Sequence, residues 1–342
     1  MSLKFAEGFG INRGSVQLGR KWATASGSLS AAVAGYKDVG IAIASTNATL
    51  KTPAFTDQAQ WTFGAAIWWA TRTASVGSKI TLLRGGAEQC SFHFDFSEDG
   101  NIFNILVKRG STLLDTVGPF FTREPAYYEF QVTAHTTTGA WEIKREGVSV
   151  GSDTGVNTAD TGSNNADQIE IVFDSAGATM RFGDFVLMDD QGGAMDDFIG
   201  PMKVLAIRPE GDSACAWTPS TGVDNYALVD DVPGTPEDSN RVSSYTPTEE
   251  DIYTYEDLSI PSGVTLKGVI LESVSAMESS GTRTIRAVYE NAATAQSNGS
   301  NEAKTTTVWG WHSQVWEQEP ILASAWTVAL VNAAKFGIEV VS

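Results

Sequence analysis

Few residue patterns in this chain have the spacing that chemistry requires. Gly147, Val148, Ser149, Val150 and Gly151 spell G-x-S-x-G. A nucleophile elbow lifts its serine on a sharp strand-to-helix turn above a parallel sheet, whereas this segment continues an antiparallel strand with no helix behind it, so the match is read as accidental. Asp95, Ser97, Asp99 and Gly100 begin like a calcium loop, but Leu106 occupies the twelfth position, where a bidentate glutamate is needed. Asp189-Asp190, Asp196-Asp197 and Glu249 to Asp251 read as solvated loop charge before they read as calcium ligands. Glu249 and Asp251 also open the E-x-D-x-x-E pattern that would supply two carboxylates for glycoside hydrolysis, and Thr254 stands where the second glutamate belongs.

His93, His135 and His312 lie far apart, none in an H-x-H or H-E-x-x-H arrangement, and each reads as a strand or loop residue. Gly8, Gly10 and Gly14 do not fit the dinucleotide fingerprint, and no phosphate-binding loop occurs. No catalytic residue, metal ligand or cofactor is therefore expected. The residues singled out as facing a partner or a glycan are Trp309, Trp311 and Trp316, in a stretch that also contains Trp326. Alternation puts Trp309 and Trp311 on one face, and core packing is the competing reading. Cys90 and Cys215 are too few for a disulfide framework and read as buried, reduced core residues.

The elements that must position these residues show a period of two. Phe92, Phe94 and Phe96 fall on one face with His93 and Asp95 on the other, and Phe103, Ile105 and Val107 resume the alternation. Residues 91 to 108 thus predict a hairpin turning at Asp99-Gly100. Tyr128, Phe130 and Val132, then Trp141 and Ile143, predict another, with Gly147 marking the next turn. Ile169 to Phe173 and Phe182 to Met188 predict two further strands on either side of a turn around Gly177. Trp61 to Ala70 is apolar on both sides, as a strand between two layers would be, and Met202 to Ile207 is expected to return to the same sandwich. Beyond it, strands are expected at Val264 to Leu271, Thr284 to Tyr289 and Thr307 to Trp316, with the only short helix within Ala325 to Phe336. The fold class is all-β: a jelly-roll sandwich followed by a smaller β-sandwich.

At 342 residues the chain exceeds what one core usually serves. The composition shifts to Asp, Pro, Ser and Gly between Pro219 and Pro247. That shift predicts a jelly-roll domain over 1-218, an extended connector over 219-247 and a small β domain over 248-342. The net charge of -18 would be repelled by nucleic acid and by anionic membranes. No cationic, apolar leader opens the sequence and no run is long and apolar enough to span a membrane. Synthesis and retention in a cytoplasm are expected.

Residues 61 to 190 resemble the laminin G and concanavalin A-like jelly-roll superfamily, on Trp61 to Trp69, Tyr127 to Val150 and the F-x-D-x-x-x-x-D of Phe182 to Asp190. More broadly, the chain resembles a family of tailed-bacteriophage virion proteins, carried by FAEGFG, DFIGPMKVLAIRPEGD, WTPSTGVDNYALVDDVP, TYEDL, SSGTRTIRAV and VWEQEPILASAWTVALVNAAKFGIEVV. That resemblance implies a non-enzymatic structural component of the particle, on tail, fibre or capsid surface. It also implies contacts with other virion proteins and with copies of itself, often as a trimer. The alternative is a carbohydrate-binding module that recognises a host surface glycan. A glycan-degrading enzyme is the third reading, for which the incomplete carboxylate pair speaks least.

Overall fold

The computed structural model describes residues 3–9, 18–19, 21–27, 29–31, 42–44, 47–69, 76–96, 101–173, 180–191, 193–230, 240–279, 281–305 and 307–342. The chain divides into two compact units, Met1–Leu205 and Ala206–Ser342. Among the described residues, no helix is long and apolar enough to cross a membrane.

The first unit is two antiparallel sheets. In the first sheet the order is β13 (Val148–Val156), β12 (Gly139–Arg145), β11 (Ala126–Thr133), β6 (Gln60–Trp69), β15 (Met180–Asp189), β4 (Ala42–Ala44) and β3 (Leu29–Ala31), and β1 (Leu3–Glu7) also pairs with β15. In the second it is β10 (Thr112–Phe121), β9 (Ile102–Arg109), β8 (Ala87–Asp95), β7 (Val76–Arg84), β14 (Gln168–Phe173), β5 (Ala48–Lys51) and β2 (Thr24–Ser26). Strands adjacent in sequence repeatedly cross from one sheet to the other, as β5 to β6 and β14 to β15 do, which is jelly-roll wiring. The turns expected at Asp99-Gly100 and around Gly177 lie outside the described residues.

Alternation drives the packing. Phe92 and Phe94 of β8, with Phe103, Ile105 and Val107 of β9, point inward and are buried against Trp61, Phe63, Ile67 and Trp69 of β6 and Phe130 of β11. Phe92 stands 4.7 Å from Phe130 and 6.0 Å from Phe63, ring centre to ring centre. Trp69 meets Phe94 at 5.2 Å and Phe103 at 4.5 Å. Each contact joins one sheet to the other, so the aromatic core is what holds the layers face to face.

The outer face of the first sheet is covered by an irregular strap. Glu129 on β11 accepts the backbone N–H groups of Ile199 and Gly200, both at 2.9 Å, and Asp184 accepts that of Val204 at 2.9 Å. Asp184 sits in a β-bulge of β15 with φ 49°, where the register with β6 shifts between Gly183 and Val186. Gln131 donates to Asp197 at 2.9 Å, and the Lys144 ammonium lies 3.7 Å over the Phe198 ring. Gly8 lets the strap pass: a Cβ there would stand 2.5 Å from the Val204 carbonyl oxygen. Residues 202–207 form no strand: Met202 returns to the sandwich by packing on Ala66, Trp68 and Tyr127 and Asp184 takes up the Val204 amide, while Ile207 packs with the second unit.

The second unit has a six-stranded sheet, with β16 (Pro209–Cys215), β19 (Glu250–Tyr255), β25 (Lys335–Val340), β21 (Arg283–Glu290) and β22 (Gln296–Asn298) in that order, and β23 (Glu302–Lys304) also on β21. A two-stranded layer of β20 (Val269–Ser275) and β24 (Gly310–Trp316) packs on it through Leu271 and Trp316 against Ala287, Tyr289 and Phe336. A helix, α1 (Val328–Ala333), is capped by Thr327, whose hydroxyl oxygen accepts the Leu330 N–H. Helical backbone also occurs at residues 18, 19 and 21, so α1 is not the only helical stretch.

The expected connector over 219-247 is a folded part of this unit wherever it is described. Thr218–Pro219 (β17) pairs with Val242–Ser243 (β18), and Asn225 and Leu228 are buried at a 3-10 turn. Asp251 explains it. Burial raises its pKa against the hydrogen bonds it receives, and it accepts from the Trp217 N–H at 3.1 Å, the Asn225 amide at 3.0 Å and the Tyr253 hydroxyl. The strand before this segment, β16, pairs with β19 and belongs with the second unit, so the division falls at Leu205 and Ala206 rather than after residue 218.

Truncating Phe92→Ala removes a ring that touches both sheets and is expected to cost about 3 to 5 kcal/mol. Phe121→Ala, at a side chain 62% exposed, is expected to stay within about 0.5 kcal/mol. Urea unfolding of both variants checks this, and equal losses would refute the placement of the core.

Candidate functional site

The outer face of the second sheet carries a connected set of ionisable and hydroxyl side chains. Its backbone register decides which residues share it. Lys79 lies opposite His93, Thr81 opposite Ser91, and Ser91 opposite Lys108, so one face presents Lys79, Ser91, His93 and Lys108 while Phe92 and Phe94 fill the core. Glu88 would fall on the inner face by strict alternation. A bulge between the pairs Leu82–Cys90 and Leu83–Glu88 leaves Gln89 as an extra residue and turns Glu88 outward beside Ser91.

The bulged Gln89 is itself buried and anchored. Its amide nitrogen donates to the carbonyls of Ser163 at 2.9 Å and Asn165 at 2.8 Å, and its oxygen accepts from the Thr161 N–H and hydroxyl at 3.0 and 2.9 Å. Four hydrogen bonds thus hold the distortion that places Glu88.

Three contacts connect the cluster. The Lys79 ammonium donates to Glu88 Oε2 at 2.8 Å, the Ser91 hydroxyl donates to Glu88 Oε1 at 2.7 Å, and Ser91 Oγ lies 2.9 Å from His93 Nε2. Ser91 has one proton and gives it to the carboxylate, so His93 Nε2 must donate to Ser91, leaving Nδ1 as an acceptor in the neutral ring. Burial pushes the His93 pKa down to about 4, helped by the charges of Lys108 and Lys79 and opposed by Glu88. Burial alone would raise Glu88, but the hydrogen bonds from Lys79 and Ser91 and the Lys79 charge outweigh it and hold it below the usual carboxylate range.

This is not a nucleophilic triad. In a triad the acid orients the imidazole and the imidazole takes the serine proton, whereas here the acid binds the serine directly and Ser91 is fully buried. The arrangement suits recognition: ammonium donors, a carboxylate acceptor and a neutral imidazole acceptor, all on strands.

The tryptophans expected to face a partner are divided by the structure. Trp316 is 7% exposed and lies in the second unit's core, 5.7 Å from Phe336, so it is a packing residue. Alternation along β24 sends Trp311 to the opposite face from Trp316, and Trp309 and Trp311 are half-buried. Trp326 is buried and donates its indole N–H to the Trp316 carbonyl at 2.9 Å. His135 Nδ1 accepts the amides of Thr137 and Thr138 and shapes a turn, and buried His312 pairs with Glu302. Ser149 is exposed on β13 opposite Lys144, with no elbow around it. Asp189 is buried and paired with Lys4 at 2.8 Å. Cys90 is buried, which pushes its thiol up to about 12, but Cys215 is only half-buried, on the edge strand β16. Among the described residues, no three His, Cys, Asp or Glu side chains converge as a metal ion would require.

No protein-family model matches the sequence, and neither does any curated protein. Solved structures with a similar chain path include a sialidase, at a TM-score of 0.35 and 9% identity, covering 48% of this chain and 17% of that one. The chain thus spans only a small part of the sialidase. An endo-β-1,4-glucuronan lyase from Trichoderma reesei is similar at a TM-score of 0.39 and 10% identity, covering 54% and 95%. The carbohydrate-binding module CBM66 from Bacillus subtilis is similar at 0.32 and 11%, covering 49% and 96%. At these scores the likenesses assign neither an activity nor a ligand.

The lowered His93 pKa has a signed consequence. The unfolded imidazole takes up its proton near 6.5 and the folded one near 4, so this residue's contribution to stability is complete above 6.5 and is lost as pH falls toward 4. A nuclear magnetic resonance titration of the ring should place its midpoint near 4. An ordinary midpoint near 6.5 would contradict the cluster's geometry.

Proposed function

We propose that this chain is a non-enzymatic structural subunit of a tailed-bacteriophage particle that makes contacts with copies of itself and with other virion proteins. The observation that carries the reading is how the buried carboxylates are used. Glu129, Asp184 and Asp251, all on strands, accept backbone N–H groups from irregular segments and bind those segments to the sheets, and Glu319 caps its own turn while accepting the Tyr289 hydroxyl of β21. Acids committed in this way make rigid blocks suited to assembly, and they are not free to exchange protons with a substrate. The sequence resemblance to virion proteins supports the same reading. One edge of the first unit offers contact area, with Leu113 and Phe121 on β10 and Val148 on β13 exposed by 53%, 62% and 66%. Unpaired edge strands with apolar side chains are natural seats for a neighbouring chain.

A second reading, recognition of a host-surface glycan by the same particle-borne chain, is favoured by the mixed donor and acceptor cluster on the outer face of the second sheet.

Mass spectrometry of particles purified through a density gradient tests the first reading. Peptides of this chain in constant ratio to the major virion proteins are expected, and their absence from infectious particles would end the proposal.

A further inference from the structure

We infer that the outer face of the second sheet, at Lys79, Glu88, His93 and Lys108 above the buried Ser91 hydroxyl, binds a carboxylate-bearing saccharide. The inference rests on the glycan reading and specifies which glycans are bound. Its first ground is chemical alternation. Ammonium donors at Lys79 and Lys108 surround acceptors at Glu88 and His93 Nδ1, and adjacent sugar hydroxyls, each both donor and acceptor, match such a surface.

The second ground is charge. Lys79 and Lys108 stand against Glu88 and, at the end of the row opposite Asn104, Asp95, so the site is balanced in charge on a chain whose net charge is -18. Lys79 is committed to Glu88, but Lys108, directly across the ladder from Ser91, makes no ion pair among the described residues. Its ammonium is the group left to meet a single carboxylate, while the overall negative charge disfavours a densely anionic polymer. The third ground is preorganisation. The hydrogen-bonded series Lys79, Glu88, Ser91, His93 fixes four side chains before any ligand arrives, and their backbone positions are held by the Gln89 bulge, so little ordering remains to oppose binding. Half-buried Val172, opposite Lys79, and Leu106, opposite His93, flank the polar row with apolar surface on which the carbon face of a sugar ring can rest.

The test is an array that pairs uronate- and sialate-bearing oligosaccharides with neutral ones of the same linkage, probed with the full chain and followed by calorimetry on the tightest binder. At least one acidic glycan should bind, and its neutral counterpart should bind about tenfold more weakly, as should Lys108→Ala, for the loss of one charge-assisted contact. Lys79→Gln, which breaks the orienting pair, should also weaken binding, and Lys267→Ala in the second unit should not. Circular dichroism establishes that each variant is folded. Binding confined to neutral glycans, or acidic binding that Lys108→Ala leaves intact, would overturn this inference and leave the glycan reading standing. Binding to nothing on the array would overturn both.

Discussion

The packing of Phe92 between Phe63 and Phe130 is the contact on which the first unit depends, because it is made across the gap between two sheets whose described strands share no ladder hydrogen bonds. Two antiparallel sheets gain nothing from facing each other except removal of apolar surface from water and the dispersion contacts that follow. Trp69, Phe94 and Phe103 extend the same contact along the sandwich. With every second side chain of β6, β8, β9 and β11 committed inward, the remaining side chains are turned to the two outer faces, and any function of this unit must be built there or at its edges.

The two outer faces are used differently. On the first sheet, Glu129 and Asp184 accept amides from the strap, so that face is covered. Burial raises Glu129 while those amide hydrogen bonds lower it, and burial prevails. On the second sheet, Glu88 accepts from side chains of its own face, Lys79 and Ser91, so the polar row stays at the surface. In both places a β-bulge aims the key residue: one sets Asp184 under the strap, the other brings Glu88 beside Ser91. Bulges re-aim single side chains without disturbing the flanking core, which is how a fold built on strict alternation acquires local exceptions.

Those exceptions mark the limit of what the sequence discloses. The aromatic alternation of Phe92 to Phe96 and of Tyr128 to Val132 predicted strands, sheet faces and the all-β class, because a period of two has one physical meaning over several residues. Glu88, Ser91 and His93 did not read as a group, since period two assigns Glu88 to the face opposite Ser91 and only the register with β7 reveals the extra residue at Gln89. Trp316 read as a partner-facing residue because alternation alone does not say which face of β24 meets the larger sheet. The segment around Asn225 read as a connector from its Asp, Pro and Gly content, while its anchor, Asp251, lies 26 residues away. Contacts at such separations leave no local pattern.

Under the proposed virion role, assembly falls to the apolar edge of the sandwich and recognition to its polar outer face. An electron cryo-microscopy reconstruction of the intact phage particle tests that combination directly. The expected density is a repeated two-layer sandwich with neighbouring protein against the β10 and β13 edge and with the face of Lys79, His93 and Lys108 turned to solvent. A particle with no such density, or one in which that face is sealed against another subunit, would contradict it.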